Sequence, residues 1–260
     1  MTLNYSSPIT PSDLPQANRI EGFTIYFGDA RDQFFPDEHR DALNGQQLLA
    51  RKPFARLSSV MEINSVILLH QVHGTDGTVV TSDNVSGIKP LGDEGDYLIT
   101  QEAGIGIGVL TADCLPLIIY DKQHHAVAIV HAGWKGTVNG IAIKALEHMC
   151  RAYGTDPSQV QVIFGPAARP CCYQVTSEFL DYLAPFSWGT SAITSRDDKL
   201  FFDKVLFNSR ALQEQGVLSA SLVLDNNMCT MCNHQFYSHR RQKEQAGRNL
   251  TVVSLLPLRN

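Results

Sequence analysis

The chain has 260 residues, 43% of them hydrophobic, which is enough to bury a sizeable core and argues against a disordered chain. With 26 acidic against 21 basic residues the formal charge is -5, so no general electrostatic attraction draws it to nucleic acid or to an anionic membrane. A small-molecule substrate is the expectation, with neither nucleic acid nor membrane as partner.

Residues 1–20 are polar and rich in Ser and Pro, and read as an N-terminal arm or edge segment; they show no basic stretch followed by an apolar one, as a secretory leader would. No later apolar run approaches the length that crosses a bilayer. Six cysteines (Cys114, Cys150, Cys171, Cys172, Cys229 and Cys232) in such a chain read as reduced thiols, and a cytoplasmic protein is expected. Nothing in the sequence speaks to the oligomeric state.

The first strand-like run is Gly22 to Phe27. Residues 29–59 are charged and poorly periodic, with a short helix expected only near Gly45 to Arg51. SVILLHQV, from Ser65, is a β-branched and apolar run ending at a glycine, as a buried strand entering a loop would be. GDYLIT, residues 95–100, is another. In GIGIGVLTAD, Ile105, Ile107 and Val109 alternate with Gly104, Gly106 and Gly108, so one face is apolar and the other bare backbone, implying very close packing there. LPLIIYD and HAVAIVHAGW read as two strands of a hairpin joined through DKQH.

After Trp134 the period changes to that of a helix, with Val138, Ile141, Ala145 and Met149 on one face and Gly154 as C-cap. VQVIFG (160–165) is a further strand, FLDYLAPF a short helix, and FFDKVLFNSRALQEQG a helix ending at Gly216. SLVLD and LTVVSLLPL close the chain as strands around a Cys/His/Arg-rich stretch. No repeat or linker divides this order, which predicts one mixed α/β domain, of α+β type, over residues 21–260: a mixed β-sheet core flanked by helices.

Three residues stand where strands meet loops. Cys114 lies between two strands, His131 ends the next strand seventeen positions later, and His73 leaves the SVILLHQV strand. A hairpin of that length can bring its ends together, and two imidazoles with one thiolate suit zinc while leaving a fourth position open for chemistry. Asp113 precedes the cysteine, and a Gly-Trp-Lys-Gly turn starts a helix after His131, where free N–H groups and Lys135 would suit an anion.

HQVHGT, TADCLPLIIYD, VAIVHAGWKGTVNGI, GPAARPCCYQV and the CT…FYSHRR…GR segment together resemble the YfiH/YlmD family, also called the laccase-domain or multicopper polyphenol oxidase family. The resemblance runs in consistent order from about residue 64 to the C-terminus. It implies a fold similar to that of the cytotoxic necrotising factor toxins and a zinc site with His73, Cys114 and His131 as ligands. It also implies purine nucleoside phosphorolysis of adenosine, inosine or methylthioadenosine, with adenosine deamination beside it, so nucleoside and phosphate are the expected partners. Cys114, His131 and Asp113 are then the candidate catalytic residues, and Lys135, Arg240 and Arg241 the candidate phosphate contacts.

The chain departs from the family pattern at several points. Where the family shows an FTTR-x-GG run, this chain reads GFTIYFGDARDQFF, and Arg31, Arg51 or Arg56 would have to replace the missing cation. Lys135 stands where Arg is commoner, keeping the charge and losing the planar fork. Arg169 and His239 replace a small residue and a Tyr. Adjacent Cys171 and Cys172 read as packing residues on opposite faces of a strand. Cys229, Cys232 and His234 form a Cys-x2-Cys-x-His run that lacks a second such pair and is not read as a second metal site. His70, His124 and His125 read as surface or strand-end residues.

Two other chemistries fit the same residues. Cys114 as nucleophile and His131 as base would make a thiol hydrolase or amidase acting on a peptidoglycan precursor, independent of metal. Copper in place of zinc would make a polyphenol oxidase, although no His-x-His pair of the kind that builds a copper cluster occurs among the nine histidines.

Overall fold

The computed structural model describes residues 17–35, 52–223 and 228–258. Most of the N-terminal arm and the helix expected near 45–51 lie outside the described residues. Residues 18–20, at the end of the segment read as an arm or edge, form an edge strand, β1 (Asn18–Ile20), paired antiparallel with β2 (Phe23–Phe27). A helix that the sequence pattern did not reveal follows, α1 (Lys52–Met61), and then β3 (Ser65–Leu68). The strand expected to reach Val72 stops at Leu68, and the chain loops through His73 before β4 (Gly77–Val80), β5 (Tyr97–Thr100) and β6 (Ile105–Thr111).

The hairpin forms as expected from β7 (Leu115–Asp121) and β8 (Ala126–Ala132), with Pro116 opposite His131. The helix expected after Trp134 is two helices, α2 (Trp134–Val138) and α3 (Ile141–Tyr153), because Gly140 between them turns left-handed at φ 78°. Gly154 caps α3 in the same conformation, its N–H bonded to the Cys150 carbonyl. After β9 (Val160–Phe164), β10 (Gln174–Val175) and α4 (Phe179–Leu183) come β11 (Ile193–Arg196) and β12 (Lys199–Phe202), and Phe201 and Phe202, expected to start a helix, belong to β12 instead. The helix itself, α5 (Lys204–Glu214), begins one residue after Asp203, whose carboxylate accepts from the N–H groups of Val205 and Leu206. β13 (Leu222–Val223), α6 (His239–Gln242) and β14 (Asn249–Leu255) complete the chain.

Two sheets stack, one in the order β1-β2-β14-β6-β3 and the other β13-β9-β7-β8-β5-β4, beside a small sheet β10-β12-β11. Strand parity explains the stacking. In the first sheet Ile25, Ile67, Ile107 and Val253 face Ile118, Val127, Ile129 and Ile163 of the second, and this dry interface is the centre of the protein. The opposite face of β7 and β8, with Leu117, Ile119 and the small residues Ala126 and Ala128, receives Ile141, Ala145 and Met149 of α3 and Leu212 of α5. The opposite face of the first sheet packs on Phe54, Leu57 and Met61 of α1. The layers therefore run helix, sheet, sheet, helix. Among the described residues no helix is long and apolar enough to cross a membrane.

The bare face of β6 is used as its sequence implied. A Cβ on Gly108 would lie 2.8 Å from Leu68 Cδ2 and 2.9 Å from the Thr251 carbonyl oxygen, and one on Gly106 would lie 2.7 Å from Ile63 Cδ1. Neighbouring side chains thus lean over the strand and fill the layer beneath α1. Cys171 and Cys172 correct the expectation made for them: they lie in a turn rather than a strand, so their side chains are not forced to opposite faces, and both sulfurs approach Cys232. Gly108→Val should lower stability by about 1–3 kcal/mol through overpacking, read as a lower denaturation midpoint at unchanged m-value.

Candidate metal centre

Parity also builds the site. On β8, His131 continues the series of Val127 and Ile129 that faces the other sheet, and Cys114 precedes Pro116 and Ile118 in the matching series of β7. Both side chains therefore emerge at the same end of the sheet interface. Gly133 comes opposite Cys114, and a Cβ there would lie 2.8 Å from the His73 ring and 3.3 Å from the Cys114 sulfur. A glycine at this position leaves the room in which His73 enters.

His73 itself sits in the left-handed region at φ 60°, a conformation that must be held from outside. Two residues hold it. Gln71 bonds through both ends of its amide to Leu110, donating to the carbonyl at 2.8 Å and accepting from the N–H at 2.7 Å, which ties the loop to the end of β6. Asp96, at the head of β5 and buried, accepts from the N–H groups of Val72 (3.3 Å), His73 (3.0 Å) and Gly74 (2.6 Å). The same carboxylate accepts from His131 Nδ1 at 2.7 Å. That bond directs the Nε2 of His131 away from Asp96 and toward the other two donors.

The donor atoms of His73, Cys114 and His131 lie within 4.8 Å of one another, and Cys114 Sγ is 3.8 Å from His73 Nε2. The two imidazoles meet edge to face, centroids 4.8 Å apart. Burial would raise the Cys114 thiol, but His131, His73 and Lys204 overcome it and bring it down to about 5. Burial would lower His131, and the Cys114 thiolate and Asp96 instead lift it to about 9. Asp96, despite burial, is held below the usual carboxylate range by His131 and the N–H groups of Gly74 and His73. The metal-free centre is thus a thiolate beside an imidazolium, oriented by a carboxylate. Two nitrogens and a sulfur at this separation, with a carboxylate behind one imidazole, form a donor set that fits a zinc-sized dication.

The three donors open on a cleft of about 590 Å³. Lys135, Arg240, Lys204 and Arg248 bring positive charge to it, and Trp134 and Tyr173 line its walls. Lys204 was not singled out from the sequence, although it follows the Asp that caps α5. It is buried, donates to the Asp113 carbonyl at 2.7 Å, and stands 3.9 Å from the centre of the Tyr173 ring. Burial pushes its ammonium down to about 8, against the pull of Cys114 and Asp113. Arg240 lies over the same ring at 4.5 Å.

Other expected site residues are placed differently. The carboxylate of Asp113 is turned inward, accepting from Thr230 Oγ1 (2.7 Å), Ser238 Oγ (3.0 Å) and the Arg240 N–H (2.6 Å). Arg241 does not line the cleft; its guanidinium donates to the carbonyls of Thr230, Met231 and Phe236. Arg31 pairs with Asp29, neither Arg31 nor Arg56 lines the cleft, and Arg51 lies outside the described residues. Arg169 also lies off the cleft, while His70 and His239 line it. His124 bonds to Asp121 and His125 to the Leu256 carbonyl at the far end of the hairpin. The helix after His131 is only five residues long, so its dipole adds little. Asp96→Asn should weaken divalent-metal binding by about 10–100-fold, measured by competition with a chelating dye, because it frees the His131 tautomer and loosens the His73 loop.

Comparison with known proteins identifies the family and the fold. Residues 45–256 match the family described as multi-copper polyphenol oxidoreductase laccase. The chain is 35% identical over 224 residues to the purine nucleoside phosphorylase of Aquifex aeolicus (strain VF5), covering 86% of this chain and 98% of that protein. It is 36% identical over 162 residues to adenosine deaminase RL5 of an unknown prokaryotic organism, covering 61% of each. In fold it is similar to the crystal structure of the Bacillus licheniformis hypothetical protein YfiH, with a TM-score of 0.80 over 94% of this chain and 98% of that one at 24% identity. The match over most of its length shows that this chain belongs to the multi-copper polyphenol oxidoreductase laccase family, the YfiH-like proteins.

Proposed function

We propose that this chain is a zinc-dependent purine nucleoside enzyme, catalysing phosphorolysis of adenosine, inosine or methylthioadenosine, with adenosine deamination as a companion reaction. The observation that carries the reading is the His73, Cys114 and His131 triad, three donors converging on a charged cleft with no fourth protein ligand among the described residues. The names of the relatives at 35% and 36% identity support the substrate class. A zinc ion held by His73, Cys114 and His131 would supply Lewis acidity to the cleft.

In phosphorolysis a phosphate oxygen bonds to the anomeric carbon, the bond from that carbon to the purine nitrogen breaks, and the base leaves with the electron pair and takes up a proton. Lys135 and Arg240, with Lys204 and Arg248, bring the positive charge that would gather phosphate and steady the charge that develops. Trp134 offers an apolar wall for the base. Asp113 serves as a positioning residue rather than a proton carrier, since its carboxylate already accepts three hydrogen bonds that fix the turn bearing Cys114.

A second reading rests on the same thiolate. Cys114 at about 5 beside His131 at about 9 is an ion pair able to act as nucleophile and acid in a metal-free amide hydrolase. The two readings separate on chelation. Base release from several nucleosides, with and without phosphate, should depend on restored zinc and fall below about one hundredth of wild type in Cys114→Ala and His73→Ala. Full activity in both variants would overturn the site, and inactivity on every nucleoside the substrate class. Amidase activity that survives chelation but not Cys114→Ala would establish the thiol reading, and activity with copper on phenols alone the oxidase one.

The ionisation pattern gives a second test. At pH 7 Cys114 is already a thiolate, whereas His131, lifted to about 9, must lose a proton to bind metal. Zinc binding near neutrality should therefore release about one proton, seen by calorimetry in buffers of different ionisation enthalpy, and this release should fade as pH rises through 9. Release of two protons at pH 7 would show that the thiol is not ionised beforehand.

A further inference from the structure

A second group of ligands lies outside the cleft. The sulfurs of Cys171, Cys172, Cys229 and Cys232 all fall within 4.8 Å of one another, from two turns some sixty residues apart in sequence. We infer that these four cysteines form a separate, closed structural zinc site. Four thiolates at about 2.3 Å from a tetrahedral ion stand about 3.8 Å apart, and Cys171 and Cys232 already stand at 3.6 Å. Cys172 and Cys232, at 2.8 Å, are closer than that and would be spread by the ion. An all-sulfur tetrahedral set selects zinc or iron, and a full complement of protein ligands leaves no position for substrate.

The surroundings of Cys229 suit a metal-bound thiolate. Cys229-Thr-Met-Cys232 is a tight turn closed by the Asn233 N–H on the Cys229 carbonyl. The backbone N–H groups of Arg169, Cys232 and Met231 are directed at the Cys229 sulfur, the kind of hydrogen bond that stabilises a metal-bound thiolate. Four thiolates around a dication leave two negative charges. Arg169 carries its charge close to Cys229 and Cys171, and Arg196 donates to the Cys171 carbonyl at 3.0 Å. His234, which the sequence grouped with the pair, is not part of the cluster.

The placement explains what such an ion would do. It would join the turn after β9 to the segment leading into α6, which otherwise meet through the backbone contacts of Ala167 with Met228 and Thr230. Thr230, between the two cysteines of the turn, donates its hydroxyl to Asp113, and Arg241 holds the carbonyls of Thr230 and Met231. Asp113 in turn precedes Cys114. The second ion would brace the floor of the cleft without touching substrate, since none of the four cysteines lines it.

The test is metal analysis of the full chain purified under reductant and without chelator. About two zinc equivalents are expected per chain, and His73→Ala/His131→Ala should retain about one of them. X-ray absorption on that variant should show sulfur alone around zinc at about 2.3 Å. Cys232→Ser should lose the same ion while keeping the one in the cleft, and should melt at a lower temperature. If Cys232→Ser fails to fold, the absorption spectrum of the histidine variant still decides. Zinc that remains in the histidine variant with a nitrogen ligand would overturn the assignment, as would iron in its place or no metal. So would an unreduced chain lighter by the two hydrogens lost in a Cys172–Cys232 disulfide. A chain with one zinc, kept by the histidine variant and lost by Cys232→Ser, would support this site while counting against metal in the cleft.

Discussion

Asp96 is the group on which the centre depends. A carboxylate buried at the head of β5 is costly unless its oxygens are fully used, and here four donors use them: three successive N–H groups of the His73 loop and one imidazole. The strain of a left-handed histidine and the orientation of a second histidine are met by one anion. Without it, the His73 loop would relax toward ordinary backbone angles, and His131 would be free to offer either nitrogen.

The rest of the architecture serves to bring that anion to its partners. Asp96 and His131 share the six-stranded sheet, whereas His73 and Cys114 lie on segments that leave one sheet for the other, between β3 and β4 and between β6 and β7. The sheet interface sets the spacing between these crossings. Glycines on β6 allow Ile63, Leu68 and Val252 to close over the outer face of the first sheet, and alanines on β8 allow α3 to lie close on the second. A change of packing in either layer is a change of distance at the donors.

Much of this was legible along the chain. The alternation in GIGIGV, the hairpin of β7 and β8, and Gly154 as a cap carry their signals within a few residues, and the three donors stand at strand ends that those signals locate. What escaped is what long-range contacts decide. Asp96 is one acid in GDYLIT, and nothing nearby shows that three N–H groups will meet it. Lys204 was lost inside an apolar run read wholly as helix, although Asp203 is a recognisable cap and Phe201 and Phe202 belong to the strand before it. Helix α1 has no acidic residue in its first turn, and β4 is four residues opening on a glycine. Asp113 was read as an acid beside a nucleophile because sequence shows adjacency, whereas its partners lie more than a hundred residues away.

The spacing of the donors also bears on when the site can assemble. His73 and Cys114 lie forty-one positions apart, and His131 comes only near the end of the hairpin's second strand. No short stretch of the nascent chain can gather these ligands, because closing such loops costs entropy that only the finished sheet interface repays. Loading of a metal into the cleft would therefore be a late event, open to whichever ion the compartment supplies once the fold exists, and the identity of that metal would be a matter of cellular supply as much as of ligand chemistry.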